Sequence, residues 1–415
     1  MTTLRMAWRS LGRNRRRSLL AVGAIALAQT TLVLVNGFMA GSYDQMLHTI
    51  TGPMVGHVQV HHPQWRAERA VERAIDRLDT VRAQLSGLPE VETVAPRIYA
   101  TVLSASGEEG DRPADADAAV IVGVDPLVES DRGGLLESLP AYSLPRGDTV
   151  VIGRVLANRL RVKEGSQLAL IGQDVDGFPA ADLFHIEAVM ESRVDLVQTR
   201  GVVMSMERAA EFLVMPGRAH EIVVRGSQVE HAGDLARAVA SLPALAGLEV
   251  LSWREAAPEF ARMIDMKAWV DLVFLAVVFV AAAAGIANTA MMSTFERTRE
   301  FGMLLAIGSR PARVVRLVLV ESVFLGLIGV AVGSLAGTGL VLLFAHTGID
   351  YAALAGVDAS DVSFVGVSIS YIIYPRLELQ HIVSGLLAVT LTSVLAATWP
   401  AMLAARLEPA KAMRP

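Results

Sequence analysis

Four charged side chains, Glu296, Arg297, Arg299 and Glu300, fall within five consecutive positions of the stretch STFERTREFGMLLAIGSRPARVV, residues 293–315. Their chemistry is ion pairing rather than bond making. On a helix, Glu296 with Arg299 and Arg297 with Glu300 are i, i+3 neighbours, each pair worth about 0.2–0.5 kcal/mol. Phe301, Leu304 and Leu305 gather on another face of the same helix, predicted over residues 294–307 with Gly308 as its C-terminal cap. A charged helix with an apolar stripe suits docking into a groove of another protein. A solvated helix lying among lipid headgroups is the other reading of the same residues.

Other chemistries find less support. The chain has no cysteine, which excludes structural disulfides, thiolate metal sites and cysteine nucleophiles. In GHVQVHHP, His57 and His61 would share one face of a strand about 13 Å apart, too far for a common ion, so no metal site is predicted. Serines, acids and the imidazoles of His185 and His220 occur without a G-x-S-x-G or H-E-x-x-H arrangement, and no G-x-x-x-x-G-K-[ST] phosphate loop occurs. No catalytic residue and no cofactor are assigned to the chain, which is read as non-enzymatic. With 37 basic against 42 acidic side chains, it offers no field for nucleic acid.

The elements that would hold the charged stretch are apolar. Of 415 residues 53% are hydrophobic and 19% charged, which points to a membrane. Four runs can each cross a hydrocarbon core, which takes about 20 apolar residues in a helix: 19–41, 268–293, 317–345 and 382–405. The first is about twice as long as a signal core and lacks an A-x-A site, so it is read as a retained anchor. Arginine and lysine flank the spans unevenly. Arg5, Arg9, Arg13, Arg15, Arg16 and Arg17 precede the first, Arg297, Arg299, Arg310, Arg313 and Arg316 lie between the second and third, and Arg406, Lys411 and Arg414 follow the fourth. The loop 346–381 has only Arg376 beside several acids. The positive-inside rule then places segment 1–18, the linker 294–316 and the tail 406–415 in the cytoplasm, and loop 346–381 and segment 42–267 outside.

That outer segment, about 225 residues, is long enough for one or two folded units. QWRAERAVERAIDRLDTVRAQLSGL reads as one amphipathic helix ending at Gly87. Strand-like pieces follow in VETVAPRIYATVLSA, DAAVIVGV, DTVVIGRVLA, SQLALIG, FHIEAVMES and HEIVVRG, with a helix in HAGDLARAVASL and a last strand in GLEVLSW. The expected fold class is a membrane α-helical chain of four transmembrane helices with a large α+β extracytoplasmic domain between the first and second. In the third span Gly329, Gly333 and Gly337 form a small-xxx-small ridge for helix packing.

FERTREFGMLLAIGSRPARVVRLVLVES resembles the coupling-helix segment of the FtsX-like, or MacB-type, ABC transporter permeases, whose pattern is E-R-x-R-E-I-G-x-L-x-A-L-G-A. Phe301 replaces the usual isoleucine and Ser309 the usual alanine. WPAMLAARLEPAKAMRP resembles the family's ending, and AWRSLGRNRRRSLLAVGAIALA its opening. NGFMAGSYDQMLHTITGPMVGHVQVHHP is most similar to the lipoprotein-releasing (Lol-type) members. The resemblance implies a permease of the bacterial inner membrane, dimeric with a copy or a paralogue, and two copies of a cytoplasmic ABC ATPase that supply ATP and Mg chemistry. It further implies a lipoprotein substrate, a periplasmic carrier or adaptor, and contact with membrane lipids. Glu296, Arg297, Arg299, Glu300, Phe301, Gly302, Leu304, Leu305 and Gly308 would couple to the ATPase. Acyl chains would enter a cavity lined by Leu32, Val35, Phe38 and Met39 on the first span and Val270, Phe274 and Val277 on the second. The rival implication is mechanotransmission, with the motion driving efflux or activating a periplasmic partner such as a cell-wall hydrolase.

Overall fold

A computed structural model of the chain describes residues 15–107, 115–350, 363–364, 367–368 and 372–406. Arg5, Arg9, Arg13, Lys411 and Arg414, on which part of the orientation argument rests, lie outside the described residues.

Among the described residues, four helices are long and apolar enough to cross a membrane. They are α1 (Arg15–Thr49), α2 (Pro258–Glu296), α4 (Pro311–Thr347) and α5 (Leu379–Ala405), with the short α3 (Thr298–Ala306) between α2 and α4. α1 and α2 hold 35 and 39 residues. At about 1.5 Å per residue each exceeds the roughly 30 Å hydrocarbon core. α1 thus runs beyond the expected boundary at 41 and continues as a π-helical turn, Ile50–Met54, and α2 starts before the expected 268. The extra turns bury one face against the inserted domain. Ile50, Val55, Phe260 and Ala261 join Trp253, Ala256 and Ala257 in one apolar cluster. Pro258 opens α2 at a position whose N–H needs no helical partner.

The chain divides into two compact units, one of Met1–Tyr43, Asp265–Ala355 and Tyr371–Pro415, the other of Asp44–Ile264 and Gly356–Ser370. In the helical unit, Gly329, Gly333 and Gly337 of α4 lie against α1. A β-carbon added at Gly329 would stand 2.7 Å from Ile25 Cβ, and one at Gly337 2.9 Å from Val33 Cβ. The close approach lets Thr30 Oγ1 donate to the Gly333 carbonyl at 3.1 Å and Gln29 Nε2 to Ser334 Oγ at 3.2 Å. α5 packs along α4, where Gly326 lies against Ser393 and Val389.

The inserted domain is built on nine strands: β1 (Val58–His61), β2 (Val91–Ser106), β3 (Ala116–Val124), β4 (Thr149–Gly153), β5 (Gln167–Gln173), β6 (Pro179–Met190), β7 (Gly201–Ser205), β8 (Glu221–Gly226) and β9 (Glu249–Ser252). The 16-residue β2 serves two layers. Its first part pairs with β8, which continues to β1 and β9; its second part pairs with β3 and β5. Pairing then runs β3-β7-β4-β6-β5 and returns to β2, so these six strands close on themselves and leave no free edge among them. Their core is Ile98, Val102, Ile121, Leu170, Phe184 and their neighbours. The β2-β8-β1-β9 layer is covered by helices Leu78–Ser86 and Ala232–Ala240 through Leu78, Val81, Leu85, Leu235 and Val239.

Three local expectations are corrected. The helix expected up to Gly87 is two, Trp65–Glu68 and Leu78–Ser86, because Arg69 and Arg77 turn left-handed, with φ 51° and 53°. Between them Ile75 pairs with Ala219 as a short bridge instead of continuing the helix. The strand in DTVVIGRVLA stops at Gly153, and RVLANRL is a helix closed by left-handed Arg161. GVVMS, not foreseen as a strand, is β7. It is buried at every position and so lacks the alternation that marks half-exposed strands.

Candidate functional site

The charged stretch is resolved into two helices rather than one. Residues 294–296 belong to the end of α2, Arg297 leaves helical geometry with φ −106° and ψ 16°, and α3 begins at Thr298. Arg297 has a physical reason to sit at the break. Its guanidinium donates to Glu300 at 2.9 Å and to Glu321 of α4 at 2.8 Å, and lies 5.1 Å from the centre of the Phe301 ring. Glu321, a carboxylate in an apolar span, thus has a charged partner within the chain. Gly308 takes φ +88° and ends the connector. Its N–H reaches the Leu305 carbonyl at 3.0 Å, and that of Ser309 the Leu304 carbonyl at 3.0 Å.

Of the apolar stripe, Phe301 faces inward, while Leu304 and Leu305 are half-buried. Phe301 is buried against Val314, Leu317, Val318, Ala401 and Ala404, with Leu304 and Leu305 packed on the same cluster. Phe301 anchors α3 to α4 and α5, and Leu304 and Leu305 support it while remaining partly exposed. Gly302 is buried too. The exposed face is a different row: Phe295, Glu296, Arg299, Met303 and Ile307, with Met303 54% and Ile307 78% exposed. Their spacing of three and four residues was legible in the sequence, but Met303 and Ile307 could not be told from packing residues without knowing which face α4 and α5 occupy.

Of the residues expected to line an acyl cavity, Leu32 is fully buried within the chain, so it is removed from that set. Val35, Phe38, Met39, Val270 and Phe274 are half-buried, and Val277 is exposed. The exposed row on α2 also includes Trp269, Val273 and Val280, which the sequence reading did not select.

A second constellation lies in the inserted domain, where no motif announced it. Glu129 is wholly buried between Arg97 and Arg225. Arg97 Nε donates to Glu129 Oε1 at 2.6 Å, the Leu135 N–H donates to Oε2 at 2.8 Å, and Arg225 Nη1 donates to the Gly133 carbonyl at 2.8 Å. Arg97 Nη1 also donates to the Met54 carbonyl at 3.1 Å, gripping the π-helical turn at the end of α1. Burial alone would raise the Glu129 carboxyl. The charge and hydrogen bond of Arg97, the charge of Arg225 and the Leu135 N–H outweigh it and hold the group below its ordinary value.

His220 stacks on Trp65 with ring centres 4.3 Å apart, and Arg69 lies over the same indole. Its Nδ1 accepts from the Tyr99 N–H at 2.9 Å and its Nε2 donates to the Val71 carbonyl at 2.8 Å, which fixes one neutral tautomer. Burial, helped by the Arg69 charge and only partly opposed by the Val71 carbonyl, lowers its pKa to about 4. Below about pH 6.5 the unfolded chain takes up a proton that the folded chain refuses. Stability is therefore full above about pH 6.5 and falls by about 3 kcal/mol down to about pH 4. Thermal unfolding followed by tryptophan fluorescence should show this slope, and His220→Gln should flatten it. His57 and His61 have separate partners: His57 Nδ1 accepts from the Gly226 N–H at 3.0 Å, while His61 Nδ1 donates to the His62 carbonyl at 3.0 Å and faces Glu249.

Among the described residues, four membrane-length helices carry a folded domain of about two hundred residues between the first and the second. Residues 272–409 match the FtsX-like permease C-terminal family, and residues 18–244 match the MacB-like periplasmic core domain. The chain belongs to the FtsX-like, MacB-type family of ABC transporter permeases. It is similar to the ABC transporter permease YtrF of Bacillus subtilis, 31% identical over 32% of this chain and 30% of that relative. It is 24% identical to the lipoprotein-releasing system transmembrane protein LolC of Xylella fastidiosa over 95% of this chain and 92% of LolC. To the macrolide export ATP-binding/permease protein MacB of Hahella chejuensis it is 25% identical over 99% of this chain, but it spans only 59% of that relative.

Proposed function

We propose that the chain is an inner-membrane permease that couples ATP hydrolysis by a separate cytoplasmic ATPase, present in two copies, to the extraction of lipoproteins toward the periplasm. One observation carries the coupling. α1 and α2 each continue without a break from the helical bundle into the inserted domain, and their ends are fixed in that domain's core by the Ile50, Trp253 and Phe260 cluster and by the grip of Arg97 on Met54. A displacement applied at α3 moves α2 directly and α4 through the Arg297 to Glu321 ion pair. Rigid helices carry it outward, with both termini and α3 in the cytoplasm. A second permease chain, identical or paralogous, would complete the assembly and enclose the acyl cavity. The substrate class rests on the similarity to LolC along nearly the whole of both chains.

A second reading has its own support. Relatives named for macrolide export align equally well, which favours a permease that transmits force to an efflux or hydrolase partner without lipid cargo. Native mass spectrometry of the complex purified through this chain decides between them. Two permeases, two ATPases and a triacylated protein are expected for lipoprotein extraction. The same assembly repeatedly free of a lipid-modified passenger favours force transmission, and absence of any ATPase overturns both.

A further inference from the structure

α4 enters its apolar stretch with three arginines and no acid. Arg310 caps the helix, and Arg313 and Arg316 follow in its first two turns. All three are exposed. Arg313 Nη1 donates to Ser309 Oγ at 3.4 Å. Among the described residues none of the three stands in ion-pair contact with a carboxylate. Residues 293–321 hold five arginines and three glutamates. Arg297 takes up Glu300 and Glu321, while Glu296 lies in the last turn of α2 and is itself engaged. Arg299 belongs to the exposed row of α3. The charge of the α4 arginines is therefore left to a group outside this part of the chain.

The direction of the arginines identifies the kind of group. The buried residues of α4, among them Val314, Val318, Ser322 and Leu325, form one face of the helix. At 3.6 residues per turn, Arg313 and Arg316 stand on the opposite side. The next residues on their side are Val320, half-buried, and Leu327, 37% exposed. One outward row thus changes from guanidinium to aliphatic over the roughly 6 Å of axial rise between Arg316 and Val320. A phospholipid presents phosphate and then acyl chain in that same order, whereas a water-soluble partner could cover only the charged end. Guanidinium matches phosphate in bidentate geometry, and the aliphatic stems can lie along the helix while their heads stay in the headgroup layer. A zwitterionic headgroup would add an ammonium to a stripe that has no acid to receive it. An anionic one brings only the charge that the stripe lacks.

We infer that Arg313 and Arg316, with Arg310 at the water end, bind the phosphate of an anionic phospholipid whose acyl chains lie along Val320 and Leu327. Such a lipid holds the entrance of α4, and with it α3, seated there through Phe301, at a fixed depth in the membrane. The inference needs only that α4 spans the bilayer and is independent of the substrate proposed above.

The full-length chain, stripped of lipid in mild detergent and titrated with phosphatidylglycerol or phosphatidylethanolamine, tests the site by native mass spectrometry. The first phosphatidylglycerol should bind about tenfold or more tightly than phosphatidylethanolamine, and Arg313→Gln combined with Arg316→Gln should remove that preference. The unfolding midpoint should stay unchanged, because both side chains are exposed. Arg313→Lys combined with Arg316→Lys, which keeps the charge and loses the planar fork, should retain part of the preference. Millimolar inorganic phosphate should leave the lipid bound; competition by it would assign the arginines to a free anion and overturn the lipid site. Equal affinity for the two lipids, or a preference that survives in the double glutamine variant, would overturn it as well. If that variant keeps the preference and instead loses the purified ATPase, the arginines serve protein docking.

Discussion

Glu129→Ala is expected to lower the stability of the extracytoplasmic domain by about 3–5 kcal/mol, the cost of leaving a buried charge without its partner. Glu129 is fully buried, and Arg97 and Arg225 are 2% and 7% exposed. Removing the carboxylate strands two guanidiniums that cannot shed their protons and leaves the Leu135 N–H unpaired. Arg97 also holds the Met54 carbonyl, so the damage should reach the attachment of α1 to its domain. Acid should act in the same direction. The folded-state pKa of Glu129 lies below the ordinary carboxylate value of about 4.3, so its contribution is complete above that pH and is lost as pH falls through the lower folded value. Unfolding of the full chain in detergent, followed by the buried Trp65 and Trp253, should show the loss at neutral pH and a flatter acid limb in the variant. A change below about 1 kcal/mol would mean that Glu129 is not what holds the two arginines.

The sequence exposed what depends on local pattern. Long apolar runs and the left-handed stop at Gly308 need no partner to be recognised, and the four helices and the end of α3 are where such signals place them. It hid what depends on a neighbour. Whether Phe301 or Met303 faces outward is decided by α4 and α5, and charges such as Glu296 and Arg299 are compatible with either. Leu32 illustrates the same point in the first span, since an apolar side chain buried within the chain and one facing lipid are alike in type. The Glu129 cluster assembles residues 97, 129 and 225, whose meeting requires β2 and β8 to pair. Nor could periodicity reveal that α2 breaks at Arg297, because the break follows from a guanidinium drawn to Glu300 and to Glu321 on α4.

The exposed row on α3 leads to the other large effect. If the ATPase docks there, Met303→Asp combined with Ile307→Asp should weaken its binding by about 4 kcal/mol, roughly a thousandfold, since each is a well-exposed apolar anchor replaced by a charge. The fold should be unchanged, because neither side chain belongs to the Phe301 cluster. Phe301→Ala separates the two roles. Its ring is 1% exposed, so truncation should cost about 3–5 kcal/mol of helix packing and loosen α3 from α4 and α5. Titration of the reconstituted permease with the purified ATPase, alongside thermal unfolding, measures both quantities on each variant. Lost binding with an intact unfolding midpoint for the double variant, and a lowered midpoint for Phe301→Ala, would place the docking surface on the outward row. Undiminished binding by the double variant would move the contact to another cytoplasmic surface. The stripe that best resembled a docking motif would then serve only to seat the connector on its own bundle.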